Sequence, residues 1–252
     1  MSLFEAQRFR AFPFEVVASV FSRILESALF ITFWLLVGTF STSADIVPSD
    51  VIGYYMIISG LVPFFYSGFG IGSETIKLIK GGELNQILIR PINPILYPWA
   101  MRTGKNSINL IFGLLQIILG IIIAGGLSLK SLPFLLPVLI NTFLINFAFN
   151  LILGSIGFYL IEAGGVKNAF LHVARLGRGE LIPLYLMPAS VATALQFTPF
   201  PASQYHLTIL LQGNRLPSWG SVLLGMVWGV SLLYVAIKIW SKGLRKYEAV
   251  GI

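Results

Sequence analysis

The sequence predicts an all-α membrane protein with six transmembrane helices, and three observations carry that reading. Five apolar stretches, 16–40, 51–72, 107–124, 132–161 and 219–240, lie near or above the span length, and a sixth, 181–200, is interrupted by prolines. A helix rises about 1.5 Å per residue, so roughly 20 residues cross a hydrocarbon layer of ~30 Å. The composition agrees: 56% of the 252 residues are apolar and 11% charged, with mean hydropathy +0.84, whereas soluble chains average about 25% charged. The basic residues are also distributed asymmetrically. With the N-terminus in the cytoplasm, 11 Lys and Arg fall inside and 2, Lys130 and Arg215, fall outside. Positive charge concentrates on the cytoplasmic side of membrane proteins. Lys167, Arg175 and Arg178 are unassigned in this count, and the bias survives even if all three face outward. Both termini inside requires an even number of spans.

These totals limit the function. Six spans leave little chain for a water-soluble domain, so residues 1–252 read as a single membrane domain and any energy-coupling domain belongs to another chain. The net charge of +7 is not a nucleic-acid signal, because the cations sit mostly in short loops between spans. There is no cysteine, hence neither a disulfide framework nor a thiolate metal site. The first apolar run has span length and no small-residue cleavage pattern, so 16–40 reads as an uncleaved start of insertion.

Along the chain, residues 1–15 mix Leu3, Phe4, Phe9 and Phe12 with Glu5, Gln7, Arg8 and Arg10, the pattern of an amphipathic helix lying in the interface. Pro13 separates it from the first span. Within that span Arg23 and Glu26 share a helix face. Arg23 can snorkel to the cytoplasmic headgroups, or the pair can form a polar contact at a subunit seam. The second span holds Pro63 and Gly60, Gly68, Gly70 and Gly72, which permit a kink or close helix approach. Its glycine run lies in an apolar stretch with no Lys-Ser or Lys-Thr after it and is no phosphate loop.

Residues 73–106 form the longest polar segment and are expected in the cytoplasm. Gly81-Gly82 breaks it, Glu83 to Ile89 predicts a short helix, and Leu84, Ile87 and Leu88 share one face. Glu83 in the first turn suits the helix dipole. Arg90-Pro91, Asn93-Pro94 and Pro98 make a rigid return. A loop so stiffened by proline reads as a docking element.

The stretch 132–161 is too long for one straight span. Asn141, Asn146 and Asn150 recur there at spacings of five and four; such amides can bridge helices or line a polar path. Residues 162–180, with Lys167, Asn168, His172, Arg175, Arg178 and Glu180, are too polar for a lipid-facing helix. Residues 181–200 carry Pro183, Pro188 and Pro199. Either 162–180 is a cytoplasmic loop before a fifth span, or it is a short polar span before a broken, re-entrant apolar segment. Broken backbone survives at membrane depth only when buried in protein or beside water, so both readings turn this region toward the protein interior.

A membrane enzyme is disfavoured. His172 and His206 are the only histidines, and with Glu162 and Glu180 they lack metal-site spacing. Residues 154–157 lack the order of a rhomboid-type serine protease motif. An ion-coupled secondary transporter or channel subunit is the better rival, but it favours internal repeats and paired intramembrane carboxylates. Glu26 is the only acidic residue well inside a clear span.

The segment Gly82-Glu83-Leu84-Asn85-Gln86-Ile87-Leu88-Ile89-Arg90-Pro91-Ile92-Asn93-Pro94 resembles one in the permease subunits of bacterial type-2 ATP-binding-cassette exporters, in their six-span subfamily. Gly179-Glu180-Leu181-Ile182-Pro183-Leu184, Met187-Pro188 and Thr198-Pro199-Phe200 resemble that subfamily's later elements. The basic run from Arg175 to Arg178 departs from the pattern. The resemblance implies half of a transport pore, paired with a second permease, identical or homologous, above two ATPase subunits that bind ATP and Mg; the chain itself has no cofactor. It implies that Glu83, Leu84, Asn85, Gln86, Ile87 and Leu88 form the coupling helix, closed by Arg90 and Pro91. It also implies a short fifth span and a re-entrant or extracellular segment over 179–218. The expected location is the bacterial inner membrane, multi-pass, among membrane lipids. Arg23, Glu26, Asn146, Asn150, His172, Pro183 and Pro188 are the candidates for the subunit seam or pathway.

Overall fold

The computed structural model describes residues 13–40, 47–65, 70–160 and 163–251, and among these every regular element is helical. The interfacial helix expected over 1–15 lies outside the described residues, except that 13–15 open the first helix. That helix, α1 (Pro13–Phe40), starts at a proline, where the missing N–H costs nothing because the first turn has no intrahelical acceptor for it. The described residues of the second apolar stretch and the polar segment after it form α2 (Pro48–Phe65) and α3 (Gly70–Lys80). The polar segment 73–106 is largely helical: α3 runs into it, α4 (Glu83–Leu88) follows, and α5 (Tyr97–Lys105) leads to α6 (Ser107–Ile123) through a bend of 73°.

The long stretch at 132–161 resolves into one helix, α7 (Leu132–Ser155), ended by a tight turn at Ile156–Phe158. The polar region then forms α8 (Ala163–Gly177). Beyond it come α9 (Ala189–Gln196), a wide π turn at Pro201–Tyr205 and α10 (His206–Gln212). The last helix, α11 (Trp219–Gly251), continues about three turns past the apolar stretch.

Two helix pairs organise the packing. The α2–α6 pair meets along glycines seven residues apart on each partner, Gly53 and Gly60 against Gly120 and Gly113. A Cβ placed on Gly60 would lie 2.6 Å from the Gly113 carbonyl oxygen, and one on Gly120 would lie 2.9 Å from that of Gly53. Small residues let the backbones touch, which is how helices gain contact where lipid supplies no hydrophobic drive. The second pair is α7–α11, where Gly225 accommodates Asn141 and Gly229 accommodates Leu144. Helix α3 packs on α7 where Gly154 faces Thr75.

By length and composition four segments can cross a membrane: Val20–Val37, Pro48–Lys80 (which holds both α2 and α3), Leu129–Phe158 and Trp219–Tyr247. The bent α5–α6 pair raises the number to five if it is one span. Helix α8, at 15 residues, reaches only about 22 Å.

The region expected to face the protein interior is uneven on the single chain: α8 and α9 are mostly exposed, 177–187 is buried or half-buried, and burial becomes continuous over ten residues from Pro201 to Leu210. The reason lies in the hydrogen-bonding side chains. Residues 201–212 carry Ser203, Gln204, Thr208 and Gln212, which can satisfy neighbouring carbonyls at depth, whereas α9 is built largely of small side chains.

Candidate functional site

The short helix α4 is built on glycine. Gly82 precedes α4 with φ 73°, a left-handed conformation that side chains resist. The helix is amphipathic as the spacing predicts, but its apolar face points into its own chain. Leu84 and Ile87 are buried, and Leu84 packs with Ile79, Ala148, Leu151, Ala236 and Trp240 of α3, α7 and α11. The outward face is Glu83, Asn85, Gln86, Ile89, Arg90 and Pro91, with Leu88 half-buried. Ile89 is 85% exposed, at the C-terminal end of the helix. The return is rigid for a visible reason: Asn93 Oδ1 accepts from the backbone N–H of Ile95 and of Leu96 (2.9 and 3.3 Å). Pro98 then occupies the first turn of α5.

The asparagines of α7 bridge helices. Asn141 Nδ2 donates to the Val222 carbonyl (2.8 Å), and Asn146 Nδ2 donates to that of Ser203 (2.6 Å). Asn150 Oδ1 accepts from the Gly72 N–H (3.3 Å). The π-turn segment is tied in from the other side, where Gln204 Nε2 donates to the Ile58 carbonyl (2.8 Å). An amide reaching a neighbouring carbonyl satisfies a group that hydrocarbon cannot.

Beside these amides runs a chain of charges that joins α1 to the segment after α8. Arg175 pairs with Glu26 of α1 and, 3.1 Å away, with Glu180. Arg178 has no exposed side-chain surface; it lies 3.7 Å from Glu180, donates to Ser203 Oγ (3.2 Å) and sits 5.8 Å from the Phe149 ring centre. The basic run that departed from the resemblance is thus absorbed within the protein. Tyr54 donates to the Gly179 carbonyl (2.8 Å) and Tyr55 to that of Leu181 (3.0 Å), fixing the same segment to α2. A cleft of about 190 Å³ opens here, lined by Glu26, Ser27, Tyr55, Ser59, Arg175 and Glu180.

In the first turn of α2, Asp50 gathers the loop after α10. Asn214 Nδ2 donates to Asp50 Oδ1 (2.7 Å), Arg215 lies 3.5 Å from Oδ2, and its guanidinium covers the Tyr185 ring at 4.0 Å.

Of the seam and pathway candidates, the structure brings Glu26 to the charge chain and Asn146 and Asn150 to the α7 amides. Pro183 and Pro188 end extended backbone and precede the short helical turns at Leu184–Leu186 and α9; Pro183 is buried and Pro188 exposed. His172 stands exposed on α8, apart from both clusters. Arg23 faces a separate crevice between α1, α2 and α6. The residues that sequence reasoning did not join were Arg175, Arg178 and Glu180. Two cations spaced three apart and followed by a carboxylate, between apolar stretches, were the available signal.

Residues 26–251 match the sequence model of the family described as ABC-2 family transporter protein. No curated protein matches the chain at a significant level.

Proposed function

The chain belongs to the ABC-2 transporter family and is a permease component of an ABC transporter; we propose that it forms half of the translocation pathway of an ATP-driven exporter. Separate ATPase subunits, two per transporter, bind ATP and Mg and hydrolyse the nucleotide. The observation that carries the reading is the construction of α4. Its inner face buries Leu84 and Ile87, Leu84 packing with α3, α7 and α11, and its outer face presents Glu83, Asn85, Gln86 and Ile89 away from the core of the described residues. A helix fixed in this way passes a push on its outer face directly to the spans above it. The basic residues of the same side support a cytoplasmic position, with both termini inside and six spans, α8 being the short fifth.

A second permease, identical or homologous, completes the pathway. Helix α8 supports this, because it exposes Asn168 and His172 beside Val173 and Leu176, a surface too polar to face lipid. Closure of the ATPase dimer tilts the helix pairs, and cargo leaves past the 179–218 segment. The second reading, an ion-coupled transporter, rests on Glu26 and Glu180 lining one cleft with Arg175.

Gentle purification followed by intact-complex mass measurement separates the two. The expected species holds two permeases and two ATPase chains. A purified chain that moves cargo without ATP or a second protein contradicts the exporter reading.

A further inference from the structure

Helix α1 touches α2 through the Ser27–Ser59 hydrogen bond (2.9 Å) and, beside that contact, leaves a crevice of about 400 Å³ against α2 and α6. Its walls are almost wholly apolar, with Ile24 and Ile31 on one side and Phe112, Leu115 and Leu119 on the other. Three polar residues interrupt them, Arg23, Ser27 and Gln116, and Ser27 is already bonded to Ser59. Arg23 Nε and Gln116 Oε1 are both buried, and neither has a hydrogen-bond partner among the described residues. An unpaired guanidinium N–H in an apolar crevice is costly and calls for an acceptor.

The charge around Arg23 is positive. The carboxylate one turn away, Glu26, is held by Arg175. Toward the start of α6, Arg102 acts electrostatically on Arg23. Arg102 and Lys105 share the single carboxylate of Glu74 at 3.7 and 3.8 Å. Arg23, Arg102 and Lys105 thus stand beside two carboxylates, Glu74 and the Arg175-paired Glu26, the latter acting on Arg23 more strongly than Arg102 does. The apolar wall continues along α1 from Arg23 to Ile31, about 12 Å toward the middle of the bilayer. Cation at the cytoplasmic end and hydrocarbon beyond it is the polarity of an inner-leaflet phospholipid.

We propose that this crevice holds one anionic glycerophospholipid, its phosphodiester on Arg23 and an acyl chain along Ile24, Leu115 and Leu119. Arginine suits the role because its planar donors match phosphate oxygens, and basic pockets between helices on the cytoplasmic side hold anionic headgroups. Gln116 contributes a second polar contact on the α6 side. The site does not depend on the coupling reading, since neither α4 nor an ATPase enters it.

The test uses the full chain in detergent, incubated with phosphatidylglycerol or phosphatidylethanolamine of matched acyl chains, with retained lipid counted by native mass spectrometry. The expected result is retention of phosphatidylglycerol over phosphatidylethanolamine on the order of tenfold, lost in Arg23→Gln and restored in part by Arg23→Lys. Leu115→Trp, which fills the crevice with Arg23 intact, displaces the lipid and keeps the proposal testable if Arg23→Gln does not fold. Equal retention of the two lipids by the unsubstituted chain overturns the proposal, as does undiminished retention in Leu115→Trp. Competition by soluble glycerol phosphate as effective as that by the lipid also overturns it, by reducing the site to an anion site.

Discussion

The two faces of α4 make opposite predictions, and one pair of substitutions separates them. Leu84 is 1% exposed and packs among Ile79, Leu151, Ala236 and Trp240, whereas Ile89 is 85% exposed. Truncating a fully buried leucine removes its transfer free energy and leaves a cavity, at a cost of about 3 kcal/mol. For a chain of this size 1 kcal/mol corresponds to roughly 2–4 °C, so Leu84→Ala is expected to lower the melting temperature on the order of 6–12 °C. Ile89→Asp changes a side chain that has no core contact to lose, so its effect on melting is within about 0.5 kcal/mol. Its effect on the partner is large, because a carboxylate replaces the most exposed apolar side chain of the outer face. The assay runs on both variants side by side: a thermal scan of the purified chain in detergent, and recovery of the ATPase on affinity-tagged permease. Leu84→Ala should melt early and Ile89→Asp should melt normally but lose the ATPase. Normal melting of Leu84→Ala would refute the inward anchor, and full ATPase recovery with Ile89→Asp would refute the outward docking face.

Three further perturbations probe the scaffold. Gly60→Leu drives a side chain against the Gly113 carbonyl and should destabilise by about 1–3 kcal/mol or more; Gly104→Ala, where a Cβ meets nothing within 4 Å, should be neutral or mildly stabilising in a thermal scan. Arg178→Met removes the bond to Ser203 and one of the two cations beside Glu180, which keeps Arg175, and should cost about 1–3 kcal/mol, while adding Arg175→Met strips Glu180 of both cations and should raise the cost to about 3–5 kcal/mol; no further loss in the double change would refute the pairing. Asn146→Ala removes the bond to Ser203 and strands that carbonyl, at a cost of about 1–3 kcal/mol, measurable as earlier melting and as faster amide exchange over 201–205.

The sequence shows the elements that depend on local chemistry and conceals those that depend on distant partners. Apolar length located α1, α7 and α11, and the Gly81-Gly82 break with i, i+3, i+4 spacing located α4 and its apolar face. The same spacing did not say what that face meets, because Ala236 and Trp240 lie about 150 residues away in sequence. Asn93-Pro94 and Pro98 read as a rigid return, but that pattern did not show that Pro98 sits in the first turn of a helix, α5, where proline is tolerated. The asparagine ladder was visible as a spacing, and only coordinates identify its acceptors at Val222 and Ser203. The charge chain was the least legible. Arg175 and Glu26 are 149 residues apart, and a carboxylate on α1 gives no local sign of a cation on α8.

The position of α4 relative to the membrane is the most direct test. The chain has no cysteine, so Ile89→Cys introduces a single thiol that a membrane-impermeant maleimide can address from either side. The expected result is no labelling in intact cells, labelling in inverted vesicles, and protection of those vesicles when the ATPase is bound. Labelling from the outside of intact cells would contradict the account.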